Sequence, residues 1–274
     1  MTDADAAKIV NEIRSADALV VTAGAGMGVD SGLPDFRGTA GFWKAYPPFA
    51  KLGFRFEQLA NPRWFREDPN LAWGFYGHRL HAYRDTTPHS GFAILKRWID
   101  QKKHGGYVYT SNVDGQFQKA GFDPQHVVEC HGSIHLLQCL ESCGIEAFSA
   151  DDFDVAIDSE TMRAPGPLPK CPNCGALARP NILMFGDSEW DERPFAPIHK
   201  NLQKWCRELR GAKMVVIECG AGTAIPSVRI FSETLVGAFK AFFVRVNVRE
   251  PKTSEGIGIA VGAKDFLETI DRML

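Results

Sequence analysis

The sequence predicts a doubly wound α/β fold, a parallel sheet covered by helices, on three observations. Short apolar strands alternate with amphipathic stretches, a glycine-rich turn comes directly after the first strand, and two stretches of different composition interrupt the alternation. In chain order, residues 5–15 have helical amphipathic spacing and the apolar run 18–22 forms the first strand. Gly24, Gly26 and Gly28 make the turn, expected to take positive φ and to lead into a helix N-terminus that offers N–H donors. Residues 91–102 read as a helix, 107–111 and 127–129 as strands, 197–210 as a helix, 214–218 and 241–247 as strands, and 264–273 as the closing helix.

The two interruptions read as insertions. Residues 40–85 are rich in rings (Phe42, Trp43, Tyr46, Phe49, Phe54, Phe56, Trp64, Phe65, Trp73, Phe75, Tyr76) and in prolines, which suggests a small helical insertion lining an apolar cleft. Most of these rings are expected to fill core. Residues 136–180 hold two cysteine pairs, an acidic stretch and Pro165, Pro167 and Pro169; a module so small and polar needs a metal to hold it. The expected division is a discontinuous main domain (1–39, 86–135 and 181–274), the insertion 40–85 and the module 136–180.

Composition narrows the function. A chain of 274 residues, 45% hydrophobic and 23% charged, can bury one large domain with insertions. The formal net charge of −2 implies no polybasic surface, so neither nucleic acid nor an anionic membrane is expected as a partner. There is no long apolar run, and Met1 to Ala7 lack the basic start of a secretory signal, so a cytoplasmic protein is expected. Of the seven cysteines, Cys139/Cys143 and Cys171/Cys174 form two close pairs, the arithmetic of a metal site in a reducing compartment. Cys130, Cys206 and Cys219 are expected to pack.

Several segments carry chemistry. A glycine turn alone is equally suited to reversing the chain, but Pro34-Asp35-Phe36-Arg37 places a carboxylate, a ring and a guanidinium close behind it, which favours a nucleotide pocket. Asn112 and Asp114, just past a strand, are placed to hydrogen-bond ribose hydroxyls or simply to start the next helix. His131, between Cys130 and Gly132-Ser133 at another strand end, is a candidate general base. Cys139, Cys143, Cys171 and Cys174 suit tetrahedral zinc, and four sulfur ligands leave no open position, so the metal is expected to be structural; a disulfide or free thiols are the alternatives.

These motifs, in this order, resemble the sirtuins, NAD-dependent protein deacylases with some ADP-ribosyltransferase members. Gly24-Ala25-Gly26 with residues 32–38 resembles the family's first signature, residues 110–114 the second, and His131-Gly132-Ser133 the third. Residues 181–187 resemble the strand on which an acyl-lysine peptide is laid, and Gly220, Gly222, Thr223 and Asn247 the adenosine-side contacts. The resemblance implies a Rossmann-like domain with a structural zinc module, and NAD as co-substrate held by Gly24, Ala25, Gly26, Asp35, Phe36, Arg37, Asn112 and Asp114. It implies His131 as general base, an acylated-lysine protein or peptide as substrate, and nicotinamide and O-acyl-ADP-ribose as products, with Phe185 and Gly186 along the peptide. Tyr76 and Arg79, three apart on one helix face, resemble the pair with which some members grip an acidic acyl group such as succinyl or malonyl.

The chain departs from the family pattern at Ser111, where Gln is usual, at Phe117, where His is usual, and at Ala224, where Ser is usual. Ser111 is too short to repeat a Gln contact to ribose, which keeps ADP-ribosyl transfer or NAD hydrolysis as an alternative activity. A non-catalytic NAD-binding scaffold is the remaining alternative, opposed by the presence of His131 and Arg37.

Overall fold

The computed structural model describes residues 1–34, 47 and 53–274. Among them the strands are β1 (Ala18–Ala23), β2 (Gly106–Thr110), β3 (Val127–Glu129), β4 (Gly132–Cys139), β5 (Phe148–Ser149), β6 (Ala178–Ile182), β7 (Met214–Cys219), β8 (Phe242–Val246) and β9 (Ile257–Ile259). Six of them form a parallel sheet in the order β3-β2-β1-β7-β8-β9. β1 and β7 are buried along their whole length, which is why they read as apolar runs broken only at Thr22 and Glu218 rather than as alternation.

Helices cover both faces. α1 (Asp3–Ser15) starts from a capping box in which the Thr2 hydroxyl accepts from the Asp5 N–H at 3.1 Å. Next come two short helices, α2 (Phe56–Leu59) and α3 (Trp64–Glu67), then α4 (Pro69–Asp85), α5 (Ser90–Asp100), α6 (Gln116–Lys119), α7 (Ala196–Glu208), α8 (Ser227–Phe239) and α9 (Ala263–Asp271). α1, α5 and α9 bury Ile9, Ile13, Leu95, Trp98, Phe266 and Leu267 against one face of the sheet, while Leu202, Cys206, Leu235 and Val236 of α7 and α8 close the other. Cys219 is buried too, and Cys130 is half-buried against this second layer, in line with packing roles.

The insertions share a core of their own. α4 begins where the Asp68 side chain accepts from the Leu71 N–H at 3.2 Å with Pro69 just inside, and Leu71 to Gly77 are all buried. Its glycines are contact points: a Cβ on Gly74 would lie 2.0 Å from Met162 O, and one on Gly77 would lie 2.9 Å from Ile157 Cδ1. The segment 155–163 therefore seats against the helix backbone. Leu71, Phe75 and Tyr76 join Ile134, Leu137, Val155 and Ala178 in one apolar cluster. A three-stranded antiparallel sheet, β5-β4-β6, carries the module, and β4 and β6 straddle residues 135/136 and 180/181. No helix among the described residues is long and apolar enough to cross a membrane.

The elements depart from the sequence expectation in several places, and β4 and β9 are strands it did not include. α8 falls where no helix was expected, and only Asn181 and Ile182 of the segment 181–187 lie in a strand, the rest being loop.

Candidate active site

The strand register sets the site. Ala23 pairs with Thr110 on one side and with Cys219 on the other, so the loops after β1, β2 and β7 open at the same sheet edge. The chain runs outward from β1 through β2 to β3 and later returns to place β7 on the other side of β1, and such a switch point leaves a crevice beyond the strand ends. A cavity of about 860 Å³ opens there, lined among others by Gly24, Ala25, Ser111, Asn112, Asp114, His131, Gly222 and Thr223. A second hollow of about 220 Å³ is lined by Gly26, Gly220 and Asn247.

The glycine turn works differently from the sequence expectation. Gly24 has φ −114° and Gly28 φ −82°, and Gly26 is not among the positive-φ glycines either. Instead, a Cβ on Gly24 would lie 2.8 Å from Ala221 Cα and one on Gly26 would lie 2.7 Å from Gly220 Cα. Glycine is needed because two loops pack backbone to backbone. The left-handed residue is Gly220, φ +65°, whose own Cβ would meet Gly26 C at 2.3 Å. Beyond β1 the chain makes two 3-10 turns, Ala25–Met27 and Val29–Ser31, not an α-helix presenting free donors, and the Gly26 N–H donates to Gly220 O at 3.1 Å.

Asn112 and Asp114 are both buried. Asn112 Nδ2 donates to Gly24 O at 3.1 Å, tying the β1 and β2 loops together. Asp114 Oδ1 accepts from the Gln116 N–H at 3.0 Å, so it starts α6 while lining the cavity. Burial pushes the Asp114 carboxyl up to about 6. Glu129, buried and facing the Asp114 charge, is pushed up to about 8, first by burial.

His131 is fixed through its backbone. Its carbonyl accepts from the Leu183 N–H at 2.9 Å, and the preceding Cys130 N–H donates to Thr110 O at 2.9 Å. Gly132 has φ +82°, and a Cβ there would lie 2.1 Å from Asn181 O, which dictates the glycine after the histidine. The imidazole Nε2 stands 3.2 Å from Ser227 Oγ, and burial lowers its pKa, keeping the ring neutral at neutral pH.

On the β7 side, Thr223 donates through its N–H at 3.1 Å and its hydroxyl at 2.6 Å to the Glu250 carboxylate. A carboxylate thus rests on donors suited to a phosphate or ribose oxygen. Asn247 Nδ2 donates to Ala221 O at 2.7 Å, and its Oδ1 accepts from the Arg249 and Glu250 N–H groups at 3.0 Å each. Asn247 therefore shapes both loops at the second hollow.

The apolar wall of the large cavity includes Leu33, Phe56, Ala60, Ile182, Met184 and Phe185. Tyr76 and Arg79 line it too, and Arg79 is buried rather than at the surface. Tyr83 Oη accepts from Arg79 Nε at 3.2 Å and Nη2 at 2.9 Å, and the guanidinium lies 5.4 to 5.9 Å from the ring centres of Phe56, Phe75, Tyr76 and Tyr83. The buried Tyr76 hydroxyl has no hydrogen-bond partner among the described residues and is raised to about 12 by burial. Phe185 is partly exposed, stacks edge-on against Phe56 at 6.1 Å, and donates its N–H to Ala60 O; Gly186 comes next with φ +70°.

The four sulfurs of Cys139, Cys143, Cys171 and Cys174 lie within 4.8 Å of one another. Cys139 to Cys174 and Cys143 to Cys171 are both 3.6 Å. Tetrahedral zinc with metal–sulfur bonds of about 2.3 Å needs sulfurs about 3.8 Å apart, whereas a disulfide needs about 2.05 Å. The cluster fits one zinc ion.

Asp35, Phe36 and Arg37, and the rings Phe42, Trp43, Tyr46 and Phe49, lie outside the described residues. Sequence reasoning missed Tyr83, Ser227 and Glu250. Tyr83 had a signal, four residues beyond Arg79 on the same helix face; the other two are brought in only by the fold.

Residues 24–216 match the family model described as the Sir2 family. The chain is 34% identical over 170 residues to the NAD-dependent protein deacylase of Aquifex aeolicus, covering 62% of each protein. It is 36% identical over 188 residues to the NAD-dependent protein deacylase of Thermococcus kodakarensis, covering 66% of this chain and 63% of that protein. The matched part thus spans less than two thirds of these relatives. Among solved structures, a mutant Sir2 homologue in complex with ADP-ribose superposes with a TM-score of 0.72 at 27% identity, covering 99% of this chain and 96% of that one. A Sir2 homologue in complex with NAD gives 0.73 at 25% identity, covering 97% and 93%.

Proposed function

The chain belongs to the Sir2 family, and from that premise we propose that it is an NAD-dependent protein lysine deacylase. One observation carries the reading: the glycine turn, the Asn112/Asp114 loop, His131 and the Thr223 loop open into a single cavity whose other wall is apolar and includes Arg79. The relatives support the activity class, and the shared cavity supports the division of labour.

NAD, when bound, supplies an electrophilic ribose carbon as its nicotinamide departs. Gly24, Ala25 and Thr223 line its path, Gly26, Gly220, Gly222 and Asn247 shape the adenosine end, and Asp35, Phe36 and Arg37 are assigned to it by resemblance alone. Asn112 and Asp114 serve the nicotinamide and ribose end. His131, neutral and half-buried, takes the proton of a ribose hydroxyl. Leu33, Phe56 and Met184 exclude water from the acyl group.

The substrate is an acylated lysine in a protein or peptide. β6 is an edge strand of its sheet, and the segment beyond it, with Phe185 and Gly186, offers backbone for an extended peptide. Tyr76 and Arg79 favour an acidic acyl group, since a buried cation in an aromatic box suits a carboxylate. Cys139, Cys143, Cys171 and Cys174 hold a structural zinc with no open position. The three-part division given by the sequence and a cytoplasmic setting, where thiolates stay reduced, belong to the same proposal.

The test is mass spectrometry of the purified protein with NAD and acetyl-, succinyl- and longer acyl-lysine peptides, with His131→Ala as control. Deacylated peptide with acyl-ADP-ribose, lost in the control while NAD binding persists, is the expected result. Nicotinamide release without deacylation, or ADP-ribose on protein, would replace this reading with ribosyl transfer or NAD hydrolysis. No NAD turnover would leave a binding scaffold.

A further inference from the structure

Thr223 presents two donors in the loop after β7, its N–H and its hydroxyl, and both are taken by a carboxylate from the loop after β8. Glu250 accepts with one oxygen for each donor, Oε2 at 3.1 Å from the Thr223 nitrogen and Oε1 at 2.6 Å from the hydroxyl, and Arg229 Nη2 stands 3.7 Å from Oε2. Two convergent donors with a guanidinium close by suit any oxyanion, a phosphate as well as a carboxylate. Thr223 and Glu250 both line the large cavity, together with Gly24, Ala25 and Gly222. The backbone of the two loops is held without help from the carboxylate. Asn247 Oδ1 accepts from the Glu250 N–H at 3.0 Å, and Arg229 Nη2 donates to Glu250 O at 2.6 Å and to Ala221 O at 3.0 Å. The Glu250 side chain is 36% exposed, so its carboxylate has a way out to water while both loops stay in place.

We propose that Glu250 is an internal competitor for the cofactor: its carboxylate holds the Thr223 donors that the pyrophosphate of NAD takes, and the cofactor binds by displacing it. The inference rests on the reading of the cavity as an NAD site. Carboxylate and phosphate are both anionic acceptors, so they compete for the same two donors and repel each other when side by side. The contact has a use in turnover. The product of the proposed reaction keeps the ADP-ribosyl part, so every contact to that part retains product as well as co-substrate. A competitor built into the chain weakens the hold on both and eases the departure of product.

Isothermal titration of the full-length, zinc-bound protein with ADP-ribose reads the competition without peptide or turnover. Glu250→Ala should bind ADP-ribose about five- to twentyfold tighter than wild type, the scale of a hydrogen bond to a charged group discounted for exposure. Glu250→Gln keeps an acceptor without the charge and should fall between the two. Thr223→Val completes a cycle: it should weaken binding less than about twofold in wild type, where the hydroxyl only exchanges partners, and about fivefold in the Glu250→Ala background. Weaker or unchanged binding by Glu250→Ala, or additive effects of the two substitutions, overturns the proposal. Should Glu250→Ala melt early, the sign of the change in Glu250→Gln decides in its place. If neither wild type nor variant binds ADP-ribose, the NAD reading fails, and inorganic pyrophosphate followed at the Thr223 amide by ¹⁵N NMR still decides the competition. A saturable shift in the variant at about fivefold or more lower concentration than in wild type sustains it; equal responses or none overturn it.

Discussion

Replacing Arg79 by methionine separates its chemistry from its packing. Methionine keeps an unbranched apolar stem among Phe56, Phe75, Tyr76 and Tyr83 and removes only the cation and its donors. A hydrogen bond to a charged partner contributes about 1.5–3 kcal/mol net. At about 1.4 kcal/mol per decade, this predicts a fall of about 10- to 150-fold in kcat/KM for succinyl-lysine. The substitution also leaves Tyr83 Oη without the two N–H groups it now accepts, at 3.2 and 2.9 Å, a cost that falls on the fold. An acetyl-lysine peptide of the same sequence carries no charge and reports that cost alone. The assay is deacylation of the paired peptides at saturating NAD. The expected outcome is a selective loss on succinyl-lysine with acetyl-lysine changed less than about fivefold, the effect of one ordinary hydrogen bond. An equal fall on both would make Arg79 a support of α4, and an unchanged succinyl rate would refute the acidic-acyl reading.

Cys171→Ser should release the metal: the wild type should contain about one zinc per chain by elemental analysis, and the variant little, with loss of cooperative melting in the module. Unchanged zinc content would break the four-cysteine assignment. Glu129→Gln tests the buried carboxylate. Its folded pKa is raised from 4.5 to about 8, so the unfolded chain gives up this proton first and native stability is lost as pH rises between those values. The variant should melt like wild type near the lower value and increasingly above it toward the upper one; a constant difference in Tm across that window would show that Glu129 is not held protonated.

The features legible in the sequence were local. The strands 18–22 and 214–218 stood out because burial on both faces leaves four consecutive apolar residues before Thr22 and Glu218, and the cysteine spacing is a matter of a few residues. α8 escaped because the face it buries holds Arg229 and Ser232 beside Val228, Leu235 and Val236, which erases the apolar stripe. The glycine turn was located correctly and explained wrongly. Its glycines answer to Gly220 and Ala221, nearly two hundred residues away, and no local pattern reveals a tertiary contact of that kind. The same holds for His131: its place at a strand end was readable, its bond to Ser227 was not.

The metal cluster and the cavity are two ends of one ribbon. β4 leaves His131 at Gly132 and ends on Cys139, so the candidate base and a candidate zinc ligand terminate the same strand. β6 returns beside it, pairing Cys139 with Ala178 and Gly132 with Ile182, and delivers Leu183, Met184 and Phe185 to the cavity wall. At the turn beyond, Arg179 grips Asp187 through both guanidinium nitrogens at 2.8 and 2.9 Å, with both side chains fully buried. Asp187 also accepts from the Glu189 N–H at 3.1 Å. A buried, bidentate pair of this kind is costly to break, about 3–5 kcal/mol on removing one partner, so the loop carrying Phe185 and Gly186 is pinned at its far end. The loop after β6 is thus tied back by an ion pair to Arg179, whose strand partner Gln138 adjoins Cys139, and the segment proposed to carry the peptide lies between Ile182 and Asp187. A zinc ion held by the four cysteines would close the end of the ribbon opposite His131 without touching substrate.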